Sequence, residues 1–127
     1  MLISHLDHLV LTVENINKSC SFYNKALGMK VVTFGENRKA LSFGDQKINL
    51  HSVKKPLAPH AKNAVSGSAD LCLITNFPLE LVKQHLQEES VIIELGPVTR
   101  TGACGVIESL YFRDPDGNLI ELGKYDD

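Results

Sequence analysis

His8, Asp70 and Glu121 are of types that together could hold a metal. An imidazole and two carboxylates, with coordination positions left open, suit Fe(II), Mn(II), Ni(II) or Zn(II). Nothing packs these residues locally: the chain has no HxH or HExxH arrangement. The case for them rests on strands that would bring them to one level. Glu121 is the clearest, because it stands between Ile120 and Leu122 in NLIELGKY. If those two neighbours point into a core, the carboxylate points to the opposite face. There it either meets solvent or lines a cavity. Asn49, His51 and Cys72 are polar or nucleophilic residues that the same alternation would place on the inner face.

The elements that would position these groups come in two copies. Leu6 to Val13 alternates as a strand, with His8, Val10 and Thr12 on one face. Asn15 or Asn17 can cap a helix in which Ile16, Cys20, Tyr23 and Leu27 recur at helical spacing, and Gly28 ends it. Strands follow over Met29–Phe34, Lys39–Phe43 and Gln46–Val53. Lys54 to Ser68 has two prolines and no periodicity, and reads as a connector. The order then repeats: a strand over Ala69–Thr75, a helix over Pro78–Glu88, a strand over Val91–Leu95, a Gly-rich excursion over Gly96–Gly105, and a closing hairpin. The hairpin joins Ile107–Arg113 to Asn118–Tyr125 through Asp114-Pro115-Asp116-Gly117, a tight-turn sequence. Two βαβββ modules, about 5–53 and 69–125, therefore make an α+β fold within one domain of residues 1–127. Their strands are expected to form a curved mixed sheet around a concave pocket, with the helices on the outer face. Strand parity sends Ile48, Leu50, Leu71 and Leu73 under the helices. It leaves His8, Lys47, Asn49, His51, Asp70, Cys72, Ser109, Tyr111 and Glu121 facing inward. Arg113 either joins them or pairs with Asp114 or Asp116.

Composition narrows the function classes. The chain is 43% hydrophobic and 22% charged, with a net charge of −2 and no basic run, which argues against nucleic acid as a partner. No apolar run is long enough for a membrane span, and MLISHLDHLV does not resemble a signal peptide. Cys20, Cys72 and Cys104 form no CxxC pair and read as reduced thiols of a cytoplasmic protein.

LDHLVLTVENINKSCSFYNKALGMKVV at 6–32 and YFRDPDGNLIEL at 111–122 resemble the vicinal oxygen chelate superfamily. Its members include glyoxalase I, extradiol dioxygenases, and fosfomycin- and bleomycin-resistance proteins. With FGDQKINLHSV and GSADLCLIT, the resemblance covers nearly the whole chain. It is strongest to the small glyoxalase-domain proteins, some of them virulence-associated. The resemblance implies a divalent metal held by His8, Asp70 and Glu121. Asp70 stands where many members have a second histidine, and Asn49 where glyoxalase I has a glutamate that also acts as base. His51, two residues further on, is then a candidate general base or fourth ligand. Arg100, in the Gly-rich loop, is a candidate cation covering the pocket. The implied activity is metal-dependent lyase, isomerase, dioxygenase or thiol-transfer chemistry on a small oxygen-rich substrate, in a homodimer. The alternative is the metal-free ligand sequestration of the bleomycin-resistance branch.

Overall fold

The computed structural model describes residues 1–126, which fall into two compact units dividing after Gly67. The first unit contains β1 (His8–Val13), α1 (Ile16–Leu27), β2 (Lys30–Phe34), β3 (Arg38–Phe43) and β4 (Gln46–Ser52). Asn15 caps α1: its side chain accepts from the Lys18 N–H, and Gly28 closes the helix at φ 70°. A residue with a Cβ would be strained at that φ, which is why the helix stops there. The sheet order is β1-β4-β3-β2, so the first and last strands of the module lie side by side and run parallel. That pairing sets His8 beside Lys47, Val10 beside Asn49 and Thr12 beside His51. On the other face Leu11, Val13, Leu41, Ile48 and Leu50 are buried with Tyr23, Cys20 and Ala26 of α1. Each large apolar side chain removed from water there contributes about 1.5–3 kcal/mol.

The second unit repeats this plan with β5 (Asp70–Ile74), α2 (Leu79–Glu88), β6 (Leu95–Gly102), β7 (Gly105–Arg113) and β8 (Leu119–Tyr125), ordered β5-β8-β7-β6. Leu110, Phe112, Ile120 and Leu122 form its buried face with Leu86 of α2. The fold is α+β, with one four-stranded mixed sheet per βαβββ module and neither sheet closed on itself.

Two sequence expectations fail in this unit. Val91 does not begin a strand. Its N–H returns to the Leu86 carbonyl at 2.8 Å, behind Ser90 at φ 61°, and so finishes α2. Nor do residues 96–105 form a loop. They are most of β6, which turns back into β7 through Ala103-Cys104, with Gly102 paired to Gly105. Gly96 and Pro97 coincide with a shift of register between Leu95 and Val98. A Cβ on Gly96 would collide with the Ser109 carbonyl oxygen. The glycines here allow close approach within a sheet instead of breaking it.

The turn Asp114–Asn118 is a buried polar network. Asp114 Oδ1 accepts from the N–H groups of Asp116 and Asn118, both at 2.9 Å, and Oδ2 accepts from Asn118 Nδ2 at 2.8 Å. Asn118 Oδ1 then accepts from the Ala69 N–H at 2.9 Å. The turn between β7 and β8 thus also fixes the residue before Asp70.

Candidate functional site

The helix-free face of the second sheet is organised around Glu121. Ser109, fully buried on β7, donates its hydroxyl to Glu121 Oε2 at 2.7 Å. Tyr111 is the direct cross-strand partner of Glu121 on one side, and Cys72 on the other. Burial, then the charge of Glu121 and a hydrogen bond to it, push the Cys72 thiol up to about 11. Cys72 is therefore a neutral thiol near neutral pH, a poor nucleophile beside a carboxylate. Gly123 completes the patch: a Cβ there would stand 2.9 Å from Ile107 Cδ1 and 3.3 Å from Ser109 Oγ. A side chain there would crowd the Ser109 hydroxyl that reaches Glu121.

Asp70 is exposed and pairs with Leu119, one inward-facing position away from Glu121. Arg100 lies on β6, not on a covering loop as expected. Its Nε donates to Tyr111 Oη at 3.0 Å, and its guanidinium lies 5.5 Å from that ring's centre. A chain of side-chain and cross-strand contacts therefore leads from Arg100 through Tyr111 to Glu121. Arg113 forks onto Glu94, with both bonds at 3.1 Å, and holds the Gly117 carbonyl at 3.2 Å. That bond and charge hold the exposed Glu94 carboxyl below its ordinary range.

On the first unit, His8 Nδ1 lies 2.7 Å from Asp7 Oδ2. A carboxylate only accepts, so Nδ1 carries a proton, and in the neutral imidazole Nε2 is the nitrogen left with a lone pair. This is the arrangement that orients a metal-binding imidazole. Asp7 is held below the usual carboxylate range, first by the hydrogen bond to His8. His51 is buried and its Nε2 is 3.3 Å from an Arg38 terminal nitrogen. Arginine cannot accept, so Nε2 must, and its lone pair is occupied. Burial first, then Arg38 and His60, lower the pKa of His51. Asn49 is 5% exposed, and its buried Oδ1 has no hydrogen-bond partner.

The expected donors are thus divided: His8 stands in the first unit, Asp70 and Glu121 in the second. Within neither unit do three or more His, Cys, Asp or Glu side chains gather as a ligand group among the described residues. Taken separately, His8 has a ring nitrogen fixed by Asp7 in the first unit, and Glu121 offers a half-buried carboxylate in the second. Sequence alone put Ser109 and Tyr111 on the inner face but did not reveal which residues they, Asp7 and Arg38 would hold. Asp7 was visible only as a neighbour of His8. Ser109 shares the inward parity of Tyr111 and sits opposite Gly123, the one signal that pointed to it. Arg38 alternates with Ala40 but adjoins the turn that precedes β3.

Comparison with known proteins agrees with this architecture. A virulence protein of Salmonella typhimurium, STM3117, is 51% identical over 98% of this chain and 87% of its own length. A glyoxalase domain-containing protein of Mycosarcoma maydis, RDO1, is 51% identical over 96% of this chain and 69% of its own. The structure of an integron cassette protein from the mobile metagenome of V. cholerae superposes with a TM-score of 0.97 at 56% identity, covering 99% of this chain and 98% of that one. The family described as Glyoxalase/Bleomycin resistance protein/Dioxygenase superfamily matches residues 5–122, and the chain belongs to it.

Proposed function

We propose that this protein is a metal-dependent enzyme acting on a small oxygen-rich molecule. His8, Asp70 and Glu121 would hold a divalent Fe, Mn, Ni or Zn ion, whichever copy of the chain each comes from. The observation that carries this reading is the His8–Asp7 hydrogen bond of 2.7 Å, which leaves Nε2 as a directed donor. A bound divalent ion supplies Lewis acidity towards adjacent oxygens of a substrate. Ser109 holds Glu121 in one orientation, and Arg100, steadied on Tyr111, offers a cation to a developing anion. His51 is the candidate base, acting when its hydrogen bond to Arg38 opens. A more distant relative adds support: the metallothiol transferase FosB of Shouchella clausii is 25% identical over 95% of this chain. The units are proposed to act together as one domain, in a cytoplasmic homodimer.

A second reading, metal-free binding of a small molecule, is favoured by Asn49. A neutral amide with an unpaired oxygen stands where the resemblance implies a glutamate ligand. Elemental analysis of untagged protein separates the two readings. The enzyme reading expects about one metal per chain and its loss in Glu121→Ala. Metal-free protein that cannot be loaded by any of the four ions would refute it.

A further inference from the structure

The helix-free face of the first sheet carries cations without carboxylate partners. Arg38 lies 4.7 Å from the centre of the Phe34 ring, and the Lys47 ammonium 4.0 Å from the same centre. Among the described residues, neither has an ion-pair partner. The carboxylate that feels Lys47, Asp7, is exposed and already bonded to His8. His51 contributes no charge near neutral pH, because burial and Arg38 hold it deprotonated. Both cations are half-buried, where an anion is held more tightly than in open water.

A second feature shares that face. Asn49 pairs with Ala40 on β3, while Arg38 and Phe34 stand one inward-facing position further along. Lys47 starts one such position to the other side, level with Ser42. Phe34 and Lys47 meet across β3, so the contact between them spans the Ala40–Asn49 level. Asn49 Oδ1 is sealed from water with no donor. An unpaired buried acceptor costs about 1–3 kcal/mol. A ligand that draws Lys47 off the ring and supplies a donor relieves both deficits.

We propose that this face binds a small molecule carrying an oxyanion and a hydroxyl or amide donor. The oxyanion is taken by Arg38 and Lys47, and the donor by Asn49 Oδ1. Phe34 is the resting place of the two cations. The inference shares the small-molecule reading above but needs no metal, since every residue it uses lies on β2, β3 or β4.

The test is a titration of isotope-labelled, metal-stripped protein followed by amide chemical shifts. Lactate and glycerol 3-phosphate each pair an oxyanion with a hydroxyl, one through a carboxylate and the other through a phosphate. At least one is expected to give saturable shifts at Arg38, Lys47 and Asn49, and whichever does identifies the head group. Propionate, which lacks the hydroxyl, should bind about tenfold more weakly than lactate if the carboxylate is preferred. For a phosphate preference, ethyl phosphate is the matching control. Methyl lactate and glycerol, which lack the charge, should give no saturable shift. Arg38→Gln and Lys47→Gln should each weaken binding about tenfold or more, the ratio expected for one charge-assisted hydrogen bond. Absence of saturable shifts with both probes overturns the proposal. So does equal binding of the preferred probe and its hydroxyl-free control, or undiminished binding in both variants. The ligand comparison on the unaltered protein decides the matter even if a variant folds poorly. Because the protein is metal-free, failure here leaves the metal reading standing, and failure of the metal reading leaves this one.

Discussion

Asn118→Ala tests the claim that the turn after β7 also positions β5. Asn118 is 1% exposed, and its side chain makes two bonds, donating to Asp114 Oδ2 at 2.8 Å and accepting from the Ala69 N–H at 2.9 Å. Alanine removes both and leaves the part-buried Ala69 N–H without its acceptor. At about 1–3 kcal/mol for such an unsatisfied donor, the expected loss is roughly 1–3 kcal/mol. That is a large share of the 5–15 kcal/mol (order of magnitude) typical of a domain. The backbone bond from the Asn118 N–H to Asp114 Oδ1 survives the substitution, so the turn itself should persist. Urea unfolding should therefore show a lower midpoint at an unchanged slope. Hydrogen exchange should quicken first at β5, where the Ala69 N–H has lost its acceptor. A stability loss under about 1 kcal/mol, or exchange that quickens evenly over the second unit, would refute the reasoning.

Two further expectations concern titration. Alkylation of Cys72 should climb about tenfold per pH unit up to pH ~10 without levelling, because only the thiolate reacts and its pKa is pushed up to about 11. Glu121→Gln should speed that reaction at fixed pH by removing the neighbouring charge; a rate that levels off by pH 9 would show the thiol to be unperturbed. The His51 imidazole should titrate below the ordinary histidine range by NMR, and Arg38→Gln should move it only part of the way back, since burial is the larger cause. A folded-state pKa lowered in this way stabilises the protein above the ordinary histidine value and ceases to as pH falls through the shifted one. Stability should thus decline on acidification below pH about 6.5, and less steeply in His51→Gln.

Much of this fold is written locally. Asn15 and Gly28 bracket α1 as their chemistry requires, and the repeated βαβββ order follows from alternation and turn residues. Strand parity also put Asn49, His51, Ser109 and Glu121 on the helix-free faces, because a period of two survives any small error in strand ends. What failed was β6. Gly96 and Gly102 look like chain breakers, yet they mark places where the backbone passes close to Ser109 or the Tyr125 ring. That reason lies on a neighbouring strand, so the local sequence does not carry it. Arg38, Lys47 and Phe34 were obscure for the same cause. Their meeting depends on a three-strand register and on a long side chain crossing it. The proposed metal donors were readable as types, whereas the bond from His8 to Asp7 involves an exposed neighbour that alternation assigns to the opposite face.

The parallel pairing of first and last strands bears on how the chain is made. β4 lies between β1 and β3, and β8 between β5 and β7. Each sheet therefore lacks an interior strand until its final segment arrives. On a translating ribosome, β1 would wait unpaired until Ser52 has emerged, and β5 until Tyr125 has emerged. Over that interval the exposed strand edges and the apolar faces of β5 and β7 stand open to other nascent chains. The first unit can settle while the second is still being built, so the hazard falls on the second. Because Glu121 lies on the closing strand, its carboxylate takes its place only in the step that ends this vulnerability.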